Sequence, residues 1–263
     1  MIERKLLAVG DLHTKFHILD RVIEKSEDYD RVIFLGDYVD EWNVCPEASY
    51  NLLSRLIEFK KANMDKVVLC LGNHCLSEWQ GGIFRCSGYN EITHQLVKEL
   101  YDRNENLFCA AHAEEDILFS HAGLTNGWCK DNKLDTKQDA KSLSDALNGA
   151  LKNRMINNMS KQLFNALATA GGARGGIHSP SPLWADYTEL IANSVPHLNQ
   201  VVGHTPTRTI EHHIVTDGDG SKHTLFFCDT HSLYRTGENI GDNTLLEIAT
   251  FTDDIPLYTT VPL

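Results

Sequence analysis

The chain has 263 residues, 42% of them hydrophobic, and 36 Asp and Glu against 24 Lys and Arg give a formal net charge of −12. That length and apolar content suffice for a full core, and one large α/β domain is expected rather than two small ones. The acidic balance argues against a nucleic-acid partner, whose backbone draws on Lys and Arg, and no apolar run approaches the length of a membrane span.

The opening MIERKLLAVGDLH reaches Asp11 too soon for a secretory apolar region. The seven cysteines form no C-x-x-C pair. A cytoplasmic protein with reduced thiols is therefore expected.

In chain order, Lys5-Leu6-Leu7-Ala8-Val9 leads into G-D-L-H at 10–13, 31–35 into G-D-Y-V-D at 36–40, and 66–71 into G-N-H at 72–74. Unbroken apolar runs predict strands buried on both faces, and helical spacing such as 50–57 lies between them. The front half thus reads as βαβαβ, with polar residues at the carboxyl ends of strands, where open α/β sheets place their sites. Ile117-Leu118-Phe119-Ser120 then leads into His121-Ala122-Gly123, and 200–202 into Gly203-His204-Thr205-Pro206.

Between these last two, Leu143, Leu147, Leu151, Met155, Met159, Leu163 and Leu167 recur every fourth residue, within a helical insertion at about 130–170 that could extend as a cap to about 183. A four-residue repeat drifts around a 3.6-residue helix, so two helices breaking near Asn148-Gly149 are expected, packed as ordinary core rather than as a lid. After about 206, short β-rich runs at 209–215, 223–228 and 244–249, separated by turn signals such as Asp217-Gly218-Asp219-Gly220, predict a second sheet. His212 and His213 fall on one of these strands and point to opposite faces, so they do not chelate one ion together.

G-D-Y-V-D-E places Asp37, Asp40 and Glu41 at the end of a strand that reads as buried. Such crowding is costly unless compensated, and a pair of divalent cations is the compensation that also accounts for the nearby histidines and asparagine. Asp11, His13, Asp37, Asn73, His121 and His204 offer oxygen and imidazole ligands for two metals, with one carboxylate free to bridge. Singly, each piece has a plain reading as a turn or a packed histidine. Five such turns in this order, each behind its own strand, outweigh it.

This ordered set, D-x-H, G-D-x-x-D, G-N-H, a later His and G-H-x-P, resembles the signature of the calcineurin-like metallophosphoesterases from Gly10 to Pro206. The resemblance implies a single domain over 1–263 with that family's fold, a two-sheet β-sandwich flanked by helices. It implies Asp11 and His13 on the first metal, Asp37 as the bridge, and Asn73, His121 and His204 on the second. It also implies that His74 stabilises or protonates the leaving oxygen while Asp40 orients and charges that imidazole, as a water shared by the metals attacks phosphorus. Mn²⁺ is the expected cofactor, and Fe, Zn²⁺, Co²⁺ or Ni²⁺ suit the same donors.

Protein phosphatases and bacterial diadenosine tetraphosphatases read GDxVDRG and RGNHE. This chain has Glu41 and Leu71 where those families carry arginines, and Cys75 in place of the acid. Two guanidinium forks for phosphate are missing, which favours a diester or a monoester held by other groups. Pro206, where nuclease-type members place a second metal-binding His, pulls back toward monoesters. Arg174, in G-G-A-R-G-G, could replace a lost guanidinium, against the alternative of an exposed Arg on a flexible connector. Trp184-Ala185-Asp186 resembles the W-S-D segment of eukaryotic protein phosphatases. Glu41 is expected to be solvated or locally paired, and Cys75 to be a packing residue.

The leading expectation is a dinuclear phosphomonoesterase acting on a phosphorylated small molecule or phosphoprotein. The alternatives are a phosphodiesterase acting on cyclic nucleotides, dinucleoside polyphosphates or nucleic-acid ends, and a metal-stabilised binding scaffold without catalysis.

Overall fold

Strands hydrogen-bonded on both edges and covered on both faces must be apolar, and the opening strands meet that condition after the charged residues Lys5 and Arg31 that begin the first two. In the computed structural model, which describes residues 4–42, 44–252 and 255–263 and the side chains of all of these except 250–256, β1 (Lys5–Val9), β2 (Arg31–Phe34) and β3 (Val67–Cys70) pair in parallel. Helices α1 (Phe16–Lys25) and α2 (Pro46–Ala62) connect them. After β3 come α3 (Asn73–Gln80), α4 (Glu91–Arg103), β4 (Phe108–Cys109), β5 (Ala111–Glu114) and β6 (Ile117–Ser120). Four helices follow, α5 (Asn126–Asp131), α6 (Ala140–Asn153), α7 (Asn158–Ala166) and α8 (Tyr187–Asn193). The chain closes with β7 (Asn199–Pro206), β8 (Glu211–Thr216), β9 (Lys222–Asp229), β10 (Leu245–Thr252) and β11 (Ile255–Val261).

The strands form two mixed sheets, in the orders β11-β10-β1-β2-β3-β4 and β5-β6-β7-β9-β8. Because successive side chains on a strand alternate in direction, β1 serves two layers. Leu6 and Ala8 join Ile33, Phe119, Val201 and Phe226 between the sheets, whereas Leu7 and Val9 join Ile18, Leu19, Leu52 and Leu56 under α1 and α2. The far face of the second sheet is closed by α8, where Leu190 packs with Val202, Leu225 and Phe227. Each such side chain contributes roughly 1.5–3 kcal/mol on burial, so the double-sided burial of β1 and β2 fixes where their carboxyl ends lie.

The helical insertion departs from expectation in one respect. Helix α6 runs unbroken through Asn148 and Gly149, and the break falls at 154–157. Asn148 is held in helix by tertiary bonds: its Oδ1 accepts the Ala110 N–H at 2.7 Å, and its Nδ2 donates to the Ala111 carbonyl at 2.8 Å. Leu143, Leu147 and Leu151 are buried. Met155, in the break, and Met159, on α7, are 88% and 82% exposed. The chain turns there, and Asn157 starts α7 by accepting the Ser160 N–H. On β8, His212 bonds Tyr258 and His213 bonds Tyr187, on opposite sides of the strand. Among the described residues, no helix is long and apolar enough to cross a membrane.

Glu114, at the end of β5, links the two sheets by accepting from Arg31 Nε on β2 at 2.7 Å and from Arg4 Nη1 at 3.2 Å. Burial would push its carboxyl up, but the bonds from His112 and Arg31 outweigh it and hold the group down at about 2 from an ordinary 4.5. A carboxyl depressed in the folded state contributes stability that is fully present above its unfolded pKa and is lost as pH falls toward the folded one. The Glu114→Gln change should therefore cost about 1 kcal/mol at pH 7, screened by the partly exposed arginines. That gap should narrow in urea unfolding at pH 3.5, and a gap independent of pH would mean that packing, not charge, is lost.

Candidate metal centre and active site

The polar ends of β1, β2, β3, β6 and β7 converge on Asp37, which is 1% exposed. Its carbonyl accepts the N–H groups of Leu12 and His13 at 3.0 and 2.8 Å, which draws the loop after β1 onto the loop after β2. Its Oδ1 accepts the His74 N–H at 2.9 Å and the Cys75 N–H at 3.4 Å from the first turn of α3. Its Oδ2 lies 3.2 Å from His121 Nε2 at the end of β6.

Two sets of side chains meet at this carboxylate. On one side, His121 Nε2 lies 2.9 Å from Asn73 Oδ1 and 3.1 Å from His204 Nδ1. The second ring nitrogen of His121, Nδ1, donates to the Leu35 carbonyl at 3.1 Å, the outer support that usually orients an imidazole ligand. On the other side, His13 Nε2 lies 3.7 Å from Asp11 Oδ2, while His13 Nδ1 donates to the Asp40 carbonyl at 2.8 Å. The ligand atoms of Asp37, His121 and His204 lie within 4.8 Å of one another, and so do those of Asp11, His13 and Asp37. Asp37 belongs to both groups.

These donors suit divalent ions. Burial and the Asp229 carboxylate push Asp11 well above the usual carboxylate range. For Asp37 burial acts in the same direction, but the imidazoles of His121, His74 and His13 outweigh it and hold it well below that range. His204 is pushed well below the imidazole range by burial and by the charges of His121 and Arg174, and its Nε2 is buried without a hydrogen-bond partner. A buried carboxylate pair, an imidazole held neutral and an unpartnered ring nitrogen together make a site that a cation completes.

The backbone is fitted to the same end. His13, Asp37, Asp40 and His204 all have left-handed φ values, 38°, 45°, 72° and 67°, at roughly 1–2 kcal/mol each for L-residues. Strain of this kind collects where surrounding contacts over-determine a functional geometry. Two glycines make room for the carboxylates: a Cβ at Gly72 would fall 2.1 Å from Asp37 Oδ1, and one at Gly203 would fall 2.3 Å from Asp11 Oδ1.

Beside the ligand cluster, His74 Nδ1 lies 2.7 Å from Asp40 Oδ2, so the carboxylate fixes the ring. Burial alone would lower the His74 pKa, but Asp37 and Asp40 outweigh it and hold the imidazole well above its ordinary range. The two residues line a cleft of about 220 Å³ together with Glu41, Trp42 and Arg174. Arg174 reaches this cleft from the loop after α7, steadied by Thr205 Oγ1 at 3.1 Å and Asp186 Oδ2 at 3.3 Å.

Glu41 pairs with Lys15, the two side chains only 8% and 7% exposed. Leu71 and Cys75 are buried, and burial pushes the Cys75 thiol up to about 12, which makes it a packing group.

Three residues at the site had no place in the sequence reading. Asp229 ends β9 and is buried, accepting from Ser232 N and Oγ at 3.1 and 2.7 Å; it follows a strand as Asp11 and Asp37 do, and that was its signal. Lys15 reaches Glu41 across 26 positions with no local sign of the pairing. Cys86 brings its Sγ within 4.8 Å of ligand atoms of Asp40 and His74 from a loop that carries no motif.

A family model described as calcineurin-like phosphoesterase matches residues 4–226. Among solved structures, the chain is similar to the cold-active protein-tyrosine phosphatase of a psychrophilic Shewanella species, with 16% identity, a TM-score of 0.54, and coverage of 97% of this chain and 80% of that one. A point mutant of a cold-active protein tyrosine phosphatase gives 16%, 0.55, 97% and 80%. A metallophosphoesterase from Sphaerobacter thermophilus gives 14% identity, a TM-score of 0.43, and coverage of 94% and 84%. At such identities the likeness to the phosphatase is one of fold.

Gly203→Ala should displace the Asp11 carboxylate and weaken Mn²⁺ uptake by more than tenfold in calorimetric titration of the metal-stripped protein. Gly218→Ala, where an added Cβ meets open space, should leave uptake unchanged. Equal affinities in the two variants would remove Asp11 from the ligand set.

Proposed function

Since the chain belongs to the calcineurin-like phosphoesterases, a family of metal-dependent phosphoesterases, we propose that it hydrolyses phosphate monoesters with two divalent ions held on either side of Asp37. The observation that carries this reading is the membership of Asp37 in both ligand groups. Asp11 and His13 would hold one ion, and Asn73, His121 and His204 the other. The mixed oxygen and nitrogen donors suit Mn²⁺. Bound there, the ions supply an acidified water as nucleophile and positive charge for the phosphoryl oxygens.

The protein's own groups do the rest. His74, held through Nδ1 by Asp40, gives its Nε2 proton to the leaving oxygen as the ester P–O bond breaks and the electron pair stays on that oxygen. Arg174, which lines the cleft, would take phosphoryl oxygens in place of the guanidiniums absent at Glu41 and Leu71. Its anchoring by Asp186 and Thr205 pre-sets it for that contact.

A cleft of about 220 Å³ fits a phosphoryl group and one substituent better than an ester carrying two, which supports a monoester over cyclic nucleotides, dinucleoside polyphosphates and nucleic-acid ends. The substrate is then a phosphorylated small molecule or an exposed phosphorylated side chain. A metal-stabilised scaffold would have no use for the His74–Asp40 pair. Seven unpaired cysteines suit a reducing, cytoplasmic setting.

With Mn²⁺ restored to metal-stripped enzyme, p-nitrophenyl phosphate should be hydrolysed faster than bis-p-nitrophenyl phosphate. Asp37→Ala and His74→Ala should each lose at least about a hundredfold in kcat/KM. A faster diester, or either variant within a few fold of wild type, would overturn the reading, and calorimetry giving one Mn²⁺ per chain would remove the second ion. Arg174→Ala should lower kcat/KM for the monoester by roughly tenfold or more, with Arg174→Lys recovering part of it.

A further inference from the structure

The cleft carries both polar and apolar groups: His74 and Arg174 line it together with Trp42, Pro206 and Leu233. Trp42 follows Glu41, whose buried pairing with Lys15 fixes the start of this loop. The indole is nonetheless 41% exposed, although a Trp ring is among the most favourable side chains to bury. It is also positioned: the Arg235 guanidinium lies over it, 4.5 Å from the ring centroid, within the range of a cation–π contact. One side of the ring is thus occupied by protein while the residue still lines the cleft.

A partly exposed ring that is held by a cation–π contact and lines a ligand cleft is a preorganised stacking platform, because little ordering remains to be done when a ligand arrives. Trp42 lines the same cleft as His74 and Arg174, so the leaving group of a monoester held there by its phosphoryl group lies in a cleft that Trp42 walls. From these observations we infer that the cleft selects phosphate monoesters whose leaving group carries a flat aromatic ring, and that Trp42 is the residue that recognises it. The inference rests on the monoesterase reading above and adds to it the chemical class of the leaving group. The bond changes are those already given: water oxygen joins phosphorus, the P–O bond to the leaving group breaks, the ring-bearing alcohol takes the His74 proton, and the proton lost by water goes to solvent.

Two measurements separate the recognition from the chemistry. In the first, the Mn²⁺-loaded enzyme hydrolyses benzyl phosphate and n-butyl phosphate, whose alcohols are similarly poor leaving groups. In the second, benzylphosphonate and n-butylphosphonate, which cannot be hydrolysed, are titrated by calorimetry.

The wild type should favour the benzyl member by roughly tenfold in kcat/KM and in Kd, the scale of one base–aromatic stack. Trp42→Ala should bring both ratios close to one by weakening the benzyl member alone, and Trp42→Phe should keep most of the preference. Wild-type ratios near one, or a Trp42→Ala variant that weakens benzyl and butyl ligands equally, would overturn the inference. Failure to hydrolyse either phosphate while the benzylphosphonate preference persists and depends on Trp42 would sink the monoesterase reading and leave the aromatic recognition standing.

Discussion

A single buried carboxylate organises this molecule. Asp37 is bonded through its backbone carbonyl to the loop after β1, through Oδ1 to the start of α3, and through Oδ2 to the histidine at the end of β6. Three chain segments far apart in sequence are therefore tied to one residue. A buried group with that many partners is satisfied only when all of the segments are in place, so the local geometry forms as a unit. The left-handed backbone at His13, Asp37, Asp40 and His204 is tolerable for the same reason, since each strained residue is held from several directions.

The layers on either side serve that arrangement. Strands β1 and β2 are apolar on both faces because they lie between the second sheet and helices α1 and α2, and a strand packed on both faces cannot slide in register without moving every side chain to the wrong layer. Their carboxyl ends are thereby fixed, and the ligands follow directly from the last strand residues without long connecting loops. The polar centre depends on the apolar interior for its precision, and the interior gains no stability from the polar centre until charge is balanced there.

Much of this was legible in the chain itself, because the governing rule is local. A buried strand that runs into a carboxylate, amide or imidazole can be read without knowing what lies opposite; Asp11, Asp37, Asn73 and His204 follow a glycine there, and His121 follows Ser120. What was not legible is tertiary. Helix α6 continues through Asn148 because Ala110 and Ala111 bind its side chain, which no helix periodicity encodes. The Lys15–Glu41 pairing and the approach of Cys86 to His74 depend on loops meeting in space. Asp229 also ends a buried strand, but it follows Cys228 rather than a glycine and stands in no motif. Arg174 could be named from its glycine-rich setting, but its direction is set by Asp186 and Thr205, which lie outside that loop.

The anchoring of α6 also bears on how the protein behaves in company. Among the described residues, strand β5 ends its sheet and pairs with β6 alone, and an open strand edge invites another chain to add itself there. Asn148 offers an amide with the same donor and acceptor as a peptide group, and with Ser144 it occupies the Ala110 and Ala111 backbone groups at the start of that edge. A side chain on a helix thus stands in for a neighbouring strand and blunts a surface on which copies of the chain would otherwise aggregate.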